Sequence, residues 1–344
     1  MGQRVFCEEQ QRVTRLQDKK PVLKSLADSI PWASFRPLLD KGYVQERKTN
    51  AGRKRIDLLI LFKMLVLQQL FNLSDEELEF QVNDRSSFEE FVGLGVMNSI
   101  PDATTVAFFR ERLRKAEVIE ELFEMFEAYL RSQGLQARGG QIIDATLVPV
   151  PKQRNTREEN KEIKARRLPE GWDENPDRLQ QKDLDARWTK KNGISYYGYK
   201  NSLCIDVDHG FIRRYAVTSA NIHDIQMLPR LLDPESEHDY VWADSAYSGE
   251  CFEDLLSLGG FESLIHEKGA RNHPLIDAAK ELNRVKSSIR ACVEHVFGCM
   301  TMSMGGKLIR KIGLEKNDAW WGLKCLTFNL LRCLQRSFHI ATVA

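Results

Sequence analysis

The hydrophobic period of the chain changes once, at Gly139-Gly140, and that change constrains the fold more than any other feature. Upstream of it, apolar residues recur at helical spacing. Ile56 to Phe71 is an apolar-rich run of helical length, and in NLSDEELEFQVND the pair Ser74 and Glu77 has the spacing of a capping box. Asp102, in SIPDATTVAFFRERLRK, is placed to cap a further helix. VIEELFEMFEAYLRSQG then alternates apolar and acidic residues at helical spacing and stops at Gly134. Such helices, joined by short turns, predict a compact bundle over residues 1–135. A helix-turn-helix fits within 56–115, but no spacing singles out a helix that would read DNA.

Downstream the pattern shortens to that of strands. QIIDATLVPV reads as a strand, and YYGYKNSLCIDVDHGFIRRYAVTS reads as a hairpin turning at Asp208-His209-Gly210. DIQMLPRLL is a short helix, DYVWADSAYSG a strand ending in a small-residue turn, ECFEDLLSLGG a helix and FESLIH a strand. Residues 274–302 make one long helix. This order predicts an α/β domain over 136–340, a mixed sheet with helices packed on its faces. The charged stretch near 151–195 reads as an exposed insertion into it.

Composition narrows the class. At 344 residues there is room for about two domains, and 42% hydrophobic with 29% charged residues is ordinary for a globular protein. The net charge of +1 conceals three basic regions: Arg47, Lys48 and Arg53-Lys54-Arg55; Lys152 to Arg167, interleaved with glutamates; and Arg284 to Lys311. Charge runs are most often solvated faces, yet three of them permit phosphate contacts from several directions. Seven scattered cysteines form no CxxC pair and no zinc spacing, which points to reduced thiols and a cytoplasmic setting. LLILFKMLVLQQLF is broken by Lys63 and Gln68-Gln69, so no membrane partner is expected.

Three acids stand where a metal site would form: Asp144 within the first strand, Asp244 at the end of a later strand, and Glu294 on the long helix. Two-metal phosphodiester chemistry needs a few carboxylates on rigid elements, and oxygen ligands suit Mg2+ or Mn2+. Each acid alone has an ordinary reading, as a turn residue, a cap or a solvated helix residue. Glu294 is flanked by Val293, Val296 and Phe297, which predicts partial burial. Arg290 lies one turn before it, placed either for an intrahelical ion pair or for a DNA phosphate. In SANIHDIQ, Asp224 is placed to cap a helix and His223 to orient DNA or a catalytic acid.

Taken in order, LLILFKMLVLQQLFNLSDEELEFQVNDRSSFEEFVGL, PDATTVAFFRERL, IIDATLVPVPKQRNT, GYKNSLCIDVD, TSANIHD, ADSAYSG and IRACVEHVFG resemble transposases of the bacterial insertion-sequence-5 group over roughly residues 35–335. The resemblance implies a ribonuclease-H-like catalytic domain with a DDE triad, here Asp144, Asp244 and Glu294, preceded by an all-helical DNA-binding region. It implies Mg2+ or Mn2+ as cofactor, double-stranded DNA (element ends and target) as partner, and a homodimer or higher oligomer on DNA. Expected DNA contacts are Arg290, His223, Lys152, Arg154 and Lys200. The family signature runs Tyr, two residues, Arg, three residues, Glu, six residues, Lys. Arg290 and Glu294 fit it, whereas Ser287 and Thr301 stand at the Tyr and Lys positions. A nuclease that cuts without joining, and a DNA-binding protein that no longer cuts, are the competing readings.

Overall fold

The structure is a computed structural model describing residues 22–43, 56–95, 99–191, 193–267, 269, 275–306, 309 and 311–343. The basic residues Arg47, Lys48, Arg53 to Arg55, Lys307 and Arg310 lie outside the described residues. The chain divides into two compact units. One comprises Met1–Leu130, Ser303–Gly305 and Leu323–Ala344, the other Arg131–Met302 and Gly306–Gly322.

The first unit is helical: α1 (Val22–Ser29), α2 (Arg36–Gly42), α3 (Leu58–Phe71), α4 (Asp75–Asp84), α5 (Ser86–Val92), α6 (Ala103–Lys115) and α7 (Val118–Ser132). Apolar on nearly every side, α3 is the central helix, with Leu61, Phe62, Leu65 and Leu67 buried. Around it Phe35 lies 5.0 Å from Phe62, and Trp32 meets Phe91 edge-on at 5.7 Å. The caps fall where the sequence puts them. Ser74 accepts from the Glu77 amide at 3.1 Å and Asp102 from the Thr105 amide at 2.6 Å. Gln68, whose polarity interrupts the run, is spent internally: it bonds Asp75, which also holds Arg110 through two contacts of 2.7 and 2.9 Å. The C-terminal helix, Leu314–Val343, contributes Asn329, bonded at 3.0 Å to buried Glu127. Among the described residues no single helix is long and apolar enough to cross a membrane.

The second unit is built on a six-stranded mixed sheet. Its elements are β1 (Gln141–Pro149), α8 (Arg157–Lys164), α9 (Pro176–Gln180), β2 (Arg187–Lys191), β3 (Ile194–Asp206), β4 (Ile212–Ser219), α10 (Leu228–Leu231), β5 (Tyr240–Ala243), α11 (Glu250–Leu258), β6 (Glu262–Ser263) and α12 (Asp277–Gly298). The strand order is β2-β3-β1-β5-β6, with β4 also on β3. β1, β2 and β4 run antiparallel to β3, while β1, β5 and β6 are parallel to one another. An antiparallel meander feeding parallel strands through helices, preceded by a helical region, is the ribonuclease-H-like α/β arrangement. The alternation that marks the strands also splits their faces. Ile143, Cys204, Ala216, Val241 and Ala243 bury one face against Leu228, Leu231, Tyr247 and Leu256. α12 packs on β1 and β5, burying Val293 and Val296.

Two features anchor the meander. At the β3–β4 turn, Asp206 and Arg213 form a fully buried pair at 2.9 Å, and Asp206 also accepts from the amides of His209 (2.6 Å) and Phe211 (3.0 Å). The turn closes through Gly210 at φ 68°. Within β3, Gly198 lets the Val148 carbonyl approach so closely that a Cβ there would sit 2.2 Å from it.

The stretch 151–195 is more ordered than an exposed insertion. Trp172 is fully buried in it, donating to Glu159 at 3.0 Å with Arg178 and Lys182 stacked on its ring. Its last part is strand β2, which extends the sheet. Three of its charged groups, Glu159, Arg178 and Lys182, surround this aromatic anchor, while most of the others are exposed. FESLIH is a shorter strand than its pattern suggests, although its ladder bonds to β5 continue to His266.

Candidate active site

The parallel register pairs Ile142 with Trp242 and Ile143 with Ala243. The next residue on each strand is an acid, so Asp144 and Asp244 stand side by side on neighbouring strands, whose spacing is about 4.8 Å. Asp244 ends β5 and caps the short 3-10 turn Ser245–Tyr247, accepting from the Ala246 amide at 2.8 Å. Asp144 sits inside β1, opposite Leu203 of β3, and accepts from the Ala145 amide at 2.7 Å.

Over this edge lies α12. Arg290 donates to the Asp144 carboxylate at 3.0 Å, with side chains only 21% and 17% exposed, and its other terminal nitrogen stands 4.0 Å from Glu294. The guanidinium therefore links two acids instead of forming a simple intrahelical pair. Burial pushes the Asp144 carboxyl up to about 6, against the pull of Arg290; the charge of Asp244 adds to the rise, and Lys191 opposes it. Among the described residues the buried hydroxyl of Tyr247 has no hydrogen-bond partner, and the charges of Asp224, Asp144 and Asp244 reinforce the rise that burial causes in it.

Glu294 departs from expectation. Its side chain is 69% exposed, because Val293 and Val296 take the sheet-facing positions of α12 and rotate Glu294 outward by about 100° per residue. Among the described residues, no three His, Cys, Asp or Glu side chains are grouped closely enough to hold a metal ion. The Asp144–Asp244 pair nonetheless has the chemistry for one: oxygen donors only, adjacent and on rigid strands.

The remaining expected contacts scatter. His223 is exposed just before the 3-10 turn Asp224–Met227, with no cap made by its side chain. Lys200 is engaged inside the fold, bonding the Ile222 carbonyl and Asp224, each at 2.8 Å, so Asp224 is an ion-pair partner and not a cap. Lys152 is exposed and lies over the ring of half-exposed Trp188 at 5.5 Å. Arg154 is exposed, and its carbonyl accepts from Lys182 at 3.1 Å. Sequence reasoning passed over His266 and Lys191. The signal for His266 was present, since it closes the run FESLIH much as Asp144 and Asp244 follow the apolar runs Ile142-Ile143 and Val241-Trp242-Ala243.

These features define a class: a ribonuclease-H-like domain with paired carboxylates on adjacent parallel strands and a helix bearing Arg and Glu across them. Residues 135–330 match the family model described as "Transposase DDE domain", and residues 11–112 match "Transposase domain (DUF772)". The chain belongs to the DDE-domain transposase family. Among solved structures it is similar to the piggyBac transposase synaptic complex with hairpin DNA, at 9% identity and a TM-score of 0.45, over 92% of this chain and 74% of that one. A likeness that weak carries no weight for fold or function.

Proposed function

We propose that this protein is a DNA transposase of the bacterial insertion-sequence-5 group, cutting at the terminal inverted repeats of its element and joining the cut ends to target DNA. The observation that carries the reading is the register of β1 and β5, which aligns Asp144 with Asp244 beneath Arg290. Asp144, Asp244 and Glu294 are the metal-holding set, and bound Mg2+ or Mn2+ supplies Lewis acidity and activation of the nucleophile.

The chain's own groups do the rest. Arg290 fixes the Asp144 carboxylate and, by its charge, keeps it ionised beside Asp244. With a metal ion held by the two acids, the Arg290 guanidinium would be available to Glu294 and to a substrate phosphate. In cleavage a water oxygen attacks the phosphodiester and a DNA 3′-hydroxyl leaves. In joining, that hydroxyl attacks a target phosphodiester in line, with no covalent bond to the protein. Residues 136–340 form the catalytic domain in this reading and residues 1–135 the DNA-binding region, with exposed Lys152, Arg154 and His223 near the substrate. Lys200 acts indirectly, through the segment carrying His223. Joining two ends calls for a homodimer or higher oligomer on DNA, within the bacterial cytoplasm.

A strand-transfer assay tests this. The substrate is a plasmid carrying the gene with its native flanking DNA, with Mg2+. Cleavage at the flanks followed by joined products is expected. Cleavage without joining would reduce the protein to a nuclease, and neither product would remove the enzymatic reading.

A further inference from the structure

β6 continues the row in which β1 and β5 set Asp144 and Asp244 side by side. Val241 pairs with Ser263, and the ladder extends through Leu264 donating to the Val241 carbonyl (2.8 Å) and His266 donating to the Ala243 carbonyl (3.2 Å). In this parallel register His266 stands beside Asp244, as Asp144 does on the other side. Asp144, Asp244 and His266 thus occupy one row across three adjacent strands.

α12 devotes unusual resources to fixing this short segment. Lys286 is buried, and its ammonium donates to the Ile265 carbonyl at 2.8 Å. Asn283 grips the Glu267 backbone at both its amide and its carbonyl, each at 3.0 Å. Ser287, which stands at the signature's Tyr position, lies 3.2 Å from His266 Nε2. The Ser287 hydroxyl has one proton, and we assign it to the Asn283 carbonyl at 2.8 Å. Its oxygen therefore accepts from Nε2–H, which leaves the lone pair on Nδ1. Burial, with Arg290 and Lys286 nearby, draws the imidazole below its usual range, against the pull of Asp244.

We propose that His266 is a further residue of the reaction centre, its Nδ1 accepting the hydrogen bond of the hydroxyl nucleophile, which is water in cleavage and the DNA 3′-hydroxyl in joining. Ser287 is its positioning residue: the pair replaces, with a strand-end imidazole, what a tyrosine at that helix position would supply. The inference rests on the transposase reading given above.

Two amides separate its atoms. In His266→Asn the side-chain oxygen falls near the Nδ1 position, whereas His266→Gln reaches the Nε2 position and keeps only the contact to Ser287. Single-turnover cleavage of the plasmid with native flanks is measured beside DNA affinity, with Asp144→Asn as reference. His266→Ala and His266→Gln are expected to slow cleavage roughly 30- to 100-fold at unchanged affinity, the scale of a misoriented reactant. His266→Asn should recover most of that rate, and Ser287→Ala should lose a few-fold. Full activity of His266→Ala with a silent Asp144→Asn would overturn the role of His266 alone. Rescue by Gln and not by Asn would reduce His266 to an anchor for α12 and equally overturn it. Unimpaired cleavage by Asp144→Asn would instead overturn the reading on which the inference rests.

Discussion

Replacing Asp144 by Asn should stabilise the metal-free protein while destroying its activity. Burial raises the Asp144 carboxyl from 3.8 to about 6 in the folded chain, even with Arg290 at 3.0 Å. The folded state therefore binds the proton more tightly than the unfolded state, so stability falls as pH rises from about 4 to about 6 and stays lowered above that. Roughly two units at 1.36 kcal/mol each give an upper bound of ~3 kcal/mol for holding the charge at neutral pH. The amide removes that cost but leaves Arg290 with Glu294 alone, so a net gain of about 1–2 kcal/mol is the working figure. The assay is thermal unfolding in chelator at pH 7.5 and pH 4.5. Asp144→Asn should melt a few degrees above wild type at pH 7.5 and level with it at pH 4.5. A variant less stable at pH 7.5, or shifted equally at both pH values, would refute the claim that burial strains this carboxylate.

Further outcomes follow from the packing. Trp172→Ala removes the only fully buried tryptophan of the 151–195 segment; a loss of about 3–5 kcal/mol of local stability should appear as new proteolytic cutting there with the rest of the sheet intact. Trp188→Ala, at a half-exposed position, should change stability by less than about 0.5 kcal/mol in the same scans. Gly198→Ala sets a Cβ against the Val148 carbonyl and should yield insoluble or markedly less stable protein by thermal shift. Asp206→Ala strips a buried arginine of its carboxylate and the turn of two amide acceptors, costing about 3–5 kcal/mol in denaturant titration.

The helical bundle and most strands were legible because their apolar period and caps are local. Ser74, Asp102, Gly134 and Gly210 act where the sequence places them. So was the strand setting of Asp144 and Asp244, since Ile142-Ile143 before one and Val241-Trp242-Ala243 before the other mark buried strands that run into charge. What stayed hidden depends on register and on distant partners. Nothing local says that β1 and β5 align their acids, or that Trp172 is a core residue while Trp188 is half exposed. Lys286 and Lys200 look like surface lysines, yet each is spent on the fold. The exposure of Glu294 was hidden because apolar neighbours on a helix need not share its face. The helix from Leu314 went unread, since its apolar run WWGLKCLTFNLLRCL follows a segment rich in glycine and lysine.

The central claim is that Asp144, Asp244 and Glu294 act as one centre on DNA. The most direct measurement is Mg2+-dependent cleavage of DNA carrying the element ends by Asp144→Asn, Asp244→Asn and Glu294→Gln, with binding followed by mobility shift on the same DNA. Each variant is expected to lose cleavage by at least ~10³-fold, the range seen when members of a catalytic unit are removed singly, while affinity changes little. Cleavage at wild-type rate by any one of the three would contradict that claim and remove that acid from the site.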